Sequence, residues 1–187
     1  MTTPDVFHRV TAALRDAGIN HMLTGSFASA YHGSPRSTQD IDFVIEADVE
    51  KIESLVRLLP PDQWYVDRDA AVDALRVETQ FNAVDLGEGW KVDFMIRKSR
   101  PFSVEEFGRR QPAILEGSAI EVVSAEDLII AKLEWAKVGG SQRQLEDVAA
   151  ILRSRGNALD QARVSEWVET LGLAVEWRLA TTLAARD

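Results

Sequence analysis

The sequence predicts an α+β fold: a mixed sheet with flanking helices, followed by a C-terminal helical part. Two observations predict it. Over residues 1–100 short runs with period-two alternation lie between segments of helical spacing, and from Ser103 onward the helical spacing continues almost alone. The chain is divided accordingly into a core, 1–100, and a mostly helical part, 101–187, expected to pack on it.

Thr3-Pro4-Asp5 reads as a helix start, Val6, Val10 and Leu14 supply helical spacing, and Gly18 stops the helix. His21 to Thr24 forms a short strand that breaks at Gly25-Ser26 into a helical stretch, Phe27 to His32, closed by Gly33. After the polar loop Ser34 to Gln39 come a strand, Asp40 to Ile45, and a helix from Asp48 to Leu59 ended by Pro60-Pro61. A short strand at Trp64 to Val66 and a helix at Asp69 to Leu75 follow. Strands Gln80 to Asp85 and Lys91 to Ile96 are joined across Gly87-Glu88-Gly89 as a hairpin. Beyond Ser103 one extended segment, Ile120 to Val123, interrupts the helices. Ser103 with Glu106 and Ser141 with Gln144 have capping-box spacing, and Ser124 with Asp127 is a weaker version of it. Gly139-Gly140 is the clearest joint, and the tail from Leu159, with Trp167, Leu171 and Trp177, reads as packed helices.

With 187 residues and 45% apolar composition the chain can bury a real core. It has no Cys, and His8, His21 and His32 are scattered, so any metal is bound through oxygen. No segment has the length and apolarity of a membrane span, and the chain reads as cytoplasmic with no membrane partner. A net charge of -9 opposes a broad phosphate-gripping surface. The one basic cluster, Arg97, Lys98, Arg100, Arg109 and Arg110, is either a local docking patch or a solvated stretch.

In an extended strand Asp40, Asp42 and Val44 share one side while Ile41, Phe43 and Ile45 line the other. Two carboxylates side by side raise each other's pKa unless a cation lies between them, which makes the pair a natural Mg²⁺ site; the bland alternative is a strand end in solvent. Upstream, Gly25-Ser26 falls between a strand and a helix, where missing bulk and free N–H groups suit a phosphate, though a plain turn would look the same. Downstream, Lys91-Val92-Asp93 puts Lys91 and Asp93 on one face, supplying a third carboxylate, with Asp85 as its competitor. Three acids on neighbouring strands can hold two Mg²⁺ roughly 4 Å apart.

On the helix from Ser124 to Lys137, Lys132 falls within the arc of Leu128, Ile129, Ala131, Trp135 and Ala136, with Glu126, Asp127, Glu134 and Lys137 opposite. Lys132 therefore points inward, toward an anionic partner or snorkelling along its own stem. Asp147, at the edge of the face formed by Leu145, Val148, Ala149, Ile151 and Leu152, is placed to orient it or is simply an acid near a helix N-terminus.

Gly25-Ser26, Asp40-Ile41-Asp42, Lys91-Val92-Asp93, Lys132 and Asp147, in that order, resemble the motifs of the nucleotidyltransferase superfamily, whose fold is DNA polymerase β-like. The AbiEii/AbiGii-type toxin branch is the most similar, and the resemblance runs from Leu23 to Leu152, with Gly25 to Glu46, including Arg36-Ser37-Thr38, its most specific part. Two departures stand out. Lys137 and Arg143 are the only candidates for an arginine that usually follows the helical lysine, and Gln144 stands where a first aspartate often precedes Asp147.

The resemblance implies that Asp40, Asp42 and Asp93 bind two Mg²⁺, with Mn²⁺ as a substitute, and that Asp93 helps activate an attacking hydroxyl. It implies nucleotide contacts from Gly25, Ser26, Arg36, Lys91, Lys132 and Asp147. The activity it implies is transfer of NMP from an NTP to a hydroxyl of a tRNA 3′ end, a protein side chain or a small molecule, with a cognate antitoxin as a further partner. A catalytically silent module that binds nucleotide or protein is the alternative.

Overall fold

The computed structural model describes residues 5–115 and 117–186, so Thr3 and Pro4 of the expected helix start lie outside the described residues. By its internal contacts the chain divides into two compact units, Met1–Ser26 with Ser37–Val122, and Phe27–Arg36 with Val123–Asp187.

The first unit holds α1 (Asp5–Asp16), β1 (Asn20–Thr24), β2 (Asp40–Glu46), α3 (Val49–Leu58), β3 (Trp64–Val66), α4 (Arg68–Arg76), β4 (Gln80–Asp85), β5 (Lys91–Ile96), α5 (Pro101–Gly108), β6 (Gln111–Leu115) and β7 (Ser118–Val122). The short helix α2 (Gly25–Tyr31) begins in it and runs on into the second. Among the described residues seven strands form one mixed sheet in the order β3-β4-β5-β2-β1-β7-β6. β2 pairs with β5, and β1 with β7, in parallel; the other neighbours are antiparallel. The α+β class expected from the sequence is the one observed.

Side-chain parity locates the core. Ile41, Phe43 and Ile45 of β2 and Val92 and Phe94 of β5 are fully buried on one face. Phe43 stacks on Phe94 at 6.4 Å between ring centroids, Phe94 on Phe81 at 5.0 Å, and Phe7 of α1 meets Phe43 at 6.3 Å. The apolar spacing of α1 is thus turned onto this face, with Val6, Val10 and Leu14 completely covered. Local chemistry sets the helix ends: Asp48 accepts from the Lys51 N–H at 2.9 Å and Asp67 from the Ala70 N–H at 3.0 Å, as capping acids do.

Two expectations after Ser103 need correction. Ser103 does not cap a helix; α5 starts at Pro101, whose fixed φ suits a first helical position, and Ser103 lies buried inside it. The extended segment Ile120 to Val123 is one arm of a hairpin, β6–β7, and β6 was missed because Gln-Pro-Ala-Ile-Leu lacks alternation and carries a proline. Proline is tolerated there because β6 is the sheet edge.

The second unit holds α6 (Ala125–Gly139), α7 (Gln142–Arg155), a 3-10 turn (Gly156–Ala158), α8 (Gln161–Thr170) and α9 (Ala174–Ala184), together with the segment 27–36. Ser124 caps α6, accepting from the Asp127 N–H at 3.2 Å, while Ser141 precedes α7 without a side-chain cap. Gly140 closes α6 in the left-handed conformation. His32 is buried, its Nε2 donating to the Val123 carbonyl at 2.7 Å and its Nδ1 accepting from Arg155 at 2.8 Å. Those partners require the neutral ring, and burial, with the Arg155 charge, holds its pKa below the ordinary 6.5. Gly33, at φ +106°, follows it, and a methyl group there would overlap Ser154. Among the described residues no helix is long and apolar enough to cross a membrane.

Phe94→Ala should lower the unfolding free energy by about 3–5 kcal/mol, because it empties the centre of the aromatic row, as read by urea denaturation. His32 binds a proton more readily unfolded than folded. Its contribution is therefore fully present above about pH 6.5 and lost as pH falls through the folded pKa below it. Melting temperatures measured across that range should fall on acidification, and less steeply in His32→Gln.

Candidate active site

The parallel pairing of β2 with β5 sets Asp40 opposite Lys91 and Asp42 opposite Asp93. Opposed residues of paired strands point to the same side, so the three acids and Lys91 share the face turned away from Phe43 and Phe94. Asp40 is exposed, Asp42 half-buried and Asp93 buried, so the carboxylates run from solvent inward. The Thr38 hydroxyl accepts from the Asp40 N–H at 3.1 Å, holding the entry to β2.

Gly25 has a further reason to be glycine beyond the one the sequence suggests. Its φ is +61°, and a Cβ there would overlap the Asp42 carboxylate. Thr24 lies opposite Asp42 in the β1–β2 ladder, so the chain leaves β1 against that carboxylate and only a residue without a side chain fits. Ser26, the next residue, is buried at the start of α2.

Lys91 Nζ donates to Asp93 Oδ2 at 2.8 Å. That bond, against the opposing effect of partial burial, raises the lysine pKa above its ordinary value, and the charges of Asp93, Asp40 and Asp42 add to it. Asp93 Oδ1 is buried and has no hydrogen-bond partner among the described residues. With the side chains so arranged, no three His, Cys, Asp or Glu among the described residues converge on a common point for a metal ion. The donor chemistry is nevertheless that of a hard cation: carboxylate oxygens, one of them buried and unsatisfied.

Asp85, the competitor for the third position, is excluded by parity. Asn82, not Asp85, lies opposite Asp93 on β4, and Asp85 belongs to the face of Phe81 and Ala83. It binds Arg9 at 2.7 Å and the Glu88 N–H at 2.7 Å, and although burial pushes its pKa up, these bonds keep it below the usual carboxylate value. Asn82 was overlooked in the sequence; its signal is a polar residue at the parity of the site face. The basic cluster is partly neutralised, Arg97 by Glu46 at 2.9 Å and Arg110 by Glu121.

In the second unit Lys132 points inward as expected, but α6 is not two-faced as expected. Asp127 is fully buried, bound by Arg163 at 2.8 Å and by the Ser124 hydroxyl at 2.7 Å, while Trp135 is 53% exposed. Lys132 Nζ donates to Asp147 at 2.7 Å and to Gln144 at 2.9 Å. Asp147 also accepts from Ser34 at 3.3 Å and lies 3.6 Å from Arg36. Arg36, Lys132 and Asp147 are thus brought together. Lys137 instead donates to the carbonyls of Leu171 and Gly172 at the end of α8.

No family model and no curated protein sequence matches the chain. Among solved structures it is similar to ANT(2'')-Ia in complex with adenylyl-2''-tobramycin, at 15% identity over 89% of this chain and 97% of that one, with a TM-score of 0.59. It is similar also to an antigenic nucleotidyltransferase-like protein from Paracoccidioides brasiliensis, at 18% identity over 96% and 91%, TM-score 0.55. A third is the lincosamide antibiotic adenylyltransferase LnuA with lincomycin bound, at 9% identity over 80% and 96%, TM-score 0.53.

The chain has the nucleotidyltransferase fold. At these identities the likeness extends to the backbone path and not to the chemistry of individual side chains. Within this nucleotidyltransferase fold β2 and β5 present the acids, and Gly25 leaves room for one of them.

Lys132 and Asp147 are 4% and 6% exposed, so removing Lys132 leaves a buried carboxylate with the more distant Arg36, at 3.6 Å, to offset it. Lys132→Met should cost about 3–5 kcal/mol, and Lys132→Met with Asp147→Leu should recover most of it in a urea denaturation series.

Proposed function

We propose that the chain is a Mg²⁺-dependent nucleotidyltransferase that moves NMP from an NTP to a hydroxyl acceptor. The observation that carries this reading is the register of Asp42 with Asp93, with Asp93 Oδ1 buried and unsatisfied beside it. The acceptor oxygen bonds to the α phosphorus as the bond to pyrophosphate breaks. Asp40, Asp42 and Asp93 would hold the metal, two Mg²⁺ or Mn²⁺ in its place. When bound, the metal supplies charge neutralisation at the phosphates. Asp93 Oδ1 is the candidate acceptor of the hydroxyl proton. Gly25, Ser26 and Lys91 are proposed phosphate contacts, and positioning accounts for most of the rate. The reading does not depend on the second unit, whose Lys132 is already engaged by Asp147.

A small-molecule acceptor is the preferred proposal: two similar proteins are named an antibiotic-resistance factor, ANT(2'')-Ia, and a lincosamide antibiotic adenylyltransferase, LnuA, and a small hydroxyl-bearing molecule suits a chain of net charge -9 better than a polyanion does. A tRNA 3′ end or a protein side chain are the other acceptors. The AbiEii-like order of motifs adds a toxin role with a cognate antitoxin to this proposal. A second reading, a nucleotide- or protein-binding module without catalysis, is favoured by two observations: Lys91 engages Asp93, and among the described residues the acids do not converge on a common point.

Incubation with Mg²⁺, each labelled NTP and fractionated small molecules, RNA and protein separates the two. The wild type should transfer label, while Asp42→Asn and Asp93→Asn should lower the rate by about 10²–10³-fold. Gly25→Ala should act like Asp42→Asn because it displaces that carboxylate. Labelling that is equal in wild type and variants, or absent with every acceptor, rejects catalysis.

A further inference from the structure

We infer that Lys91 is a built-in counter-ion for the three carboxylates, one that a divalent cation displaces from Asp93 on binding. The inference rests on the metal reading above and concerns what fills the charge deficit before a metal does. Carboxylates crowded on one sheet face repel, and the fold must offset that repulsion or lose stability. Lys91 stands opposite Asp40 in the ladder, two residues before Asp93 on the same face, and bonds to Asp93 Oδ2 at 2.8 Å. The attraction of Asp40 and Asp42 also reaches it. The ammonium thus bonds one acid and lies within the field of the other two.

Two features make it an exchangeable partner and not a fixed one. The Lys91 side chain is 43% exposed against 12% for Asp93, so water competes for the ammonium and the flexible four-carbon stem lets it withdraw. Its bond also satisfies only one oxygen of Asp93, leaving Oδ1 buried without a hydrogen-bond partner among the described residues. The ammonium carries a single charge and bonds Oδ2 of Asp93; a divalent cation carries two charges and takes several oxygen ligands at once. Metal binding therefore has to overcome an internal cation, and the affinity of the bare protein for metal is set partly by residue 91.

The test uses the full chain stripped of metal, without nucleotide, titrated with Mn²⁺ and read as free Mn²⁺ by electron paramagnetic resonance. Lys91→Met should bind Mn²⁺ about tenfold more tightly than wild type, the size of effect expected on removing one like charge beside the site. Lys91→Arg, which keeps the charge, should stay close to wild type, and Asp93→Asn should bind weakly with either residue at 91. Without metal, Lys91→Met should melt below wild type and gain more from Mn²⁺. Lys91→Gln gives the same comparison should the Met variant fold poorly. Equal or weaker binding by both neutral variants overturns the counter-ion inference while the metal reading stands. Absence of Mn²⁺ binding in every variant overturns both.

Discussion

The site depends on one constraint, the parallel register that sets Asp42 against Asp93. Neighbouring strands lie about 4.8 Å apart, so directly opposed side chains are held together whether or not they attract. Carboxylates would not choose that separation. The register is imposed from the other face, where Ile41, Phe43 and Ile45 meet Val92, Phe94 and Ile96 in the core. A slip of one residue would turn Asp40 and Asp42 into the aromatic row and expose the row to water, so burial of one face dictates crowding of charge on the other. Gly25 belongs to the same constraint: with Asp42 fixed, the exit of β1 has room for no Cβ.

This linkage explains what could be read from the chain before its structure. Strand parity needs only the alternation of apolar and polar residues, so Asp40, Asp42 and Asp93 fall on one face as expected, and β3, β4 and β5 occupy the predicted residues. Pairing partners are not encoded locally. That is why Asp85 stands as a competitor to Asp93 until the β4–β5 register places Asn82 on the site side, and why Asn82 carries no signal of its own in the sequence. Gly25 was legible as a special residue, but its reason, a side chain seventeen positions downstream, was not. β6 fails a pattern test for an equally physical reason: neither of its faces is buried, so nothing demands alternation, and an edge strand has no second neighbour to forbid proline.

Helical periodicity misled at α6 in a different way. On a helical wheel charge marks the solvent side, yet Asp127 is fully buried because Arg163, thirty-six residues on, and the capping Ser124 satisfy it. A charged residue is excluded from an interior only when nothing pairs with it, and pairing at such separations leaves no trace in a helical wheel. The exposed Trp135 is the converse, since apolar residues are free to lie at a surface.

Lys91 and Lys132 show how burial alone divides the roles of two similar pairs. Each donates to an aspartate, at 2.8 and 2.7 Å. Lys132 is 4% exposed and its partner 6%; breaking that pair strands a charge away from water, and Gln144, Ser34 and Arg36 are arranged around it so that it stays closed. Lys91 is 43% exposed, and opening its pair returns the ammonium to solvent, so only the buried aspartate needs a new partner. The same bond length therefore describes a fastener in one unit and a replaceable partner in the other. Only the second kind can yield its aspartate to another ligand, and it is the one that stands beside Asp40 and Asp42.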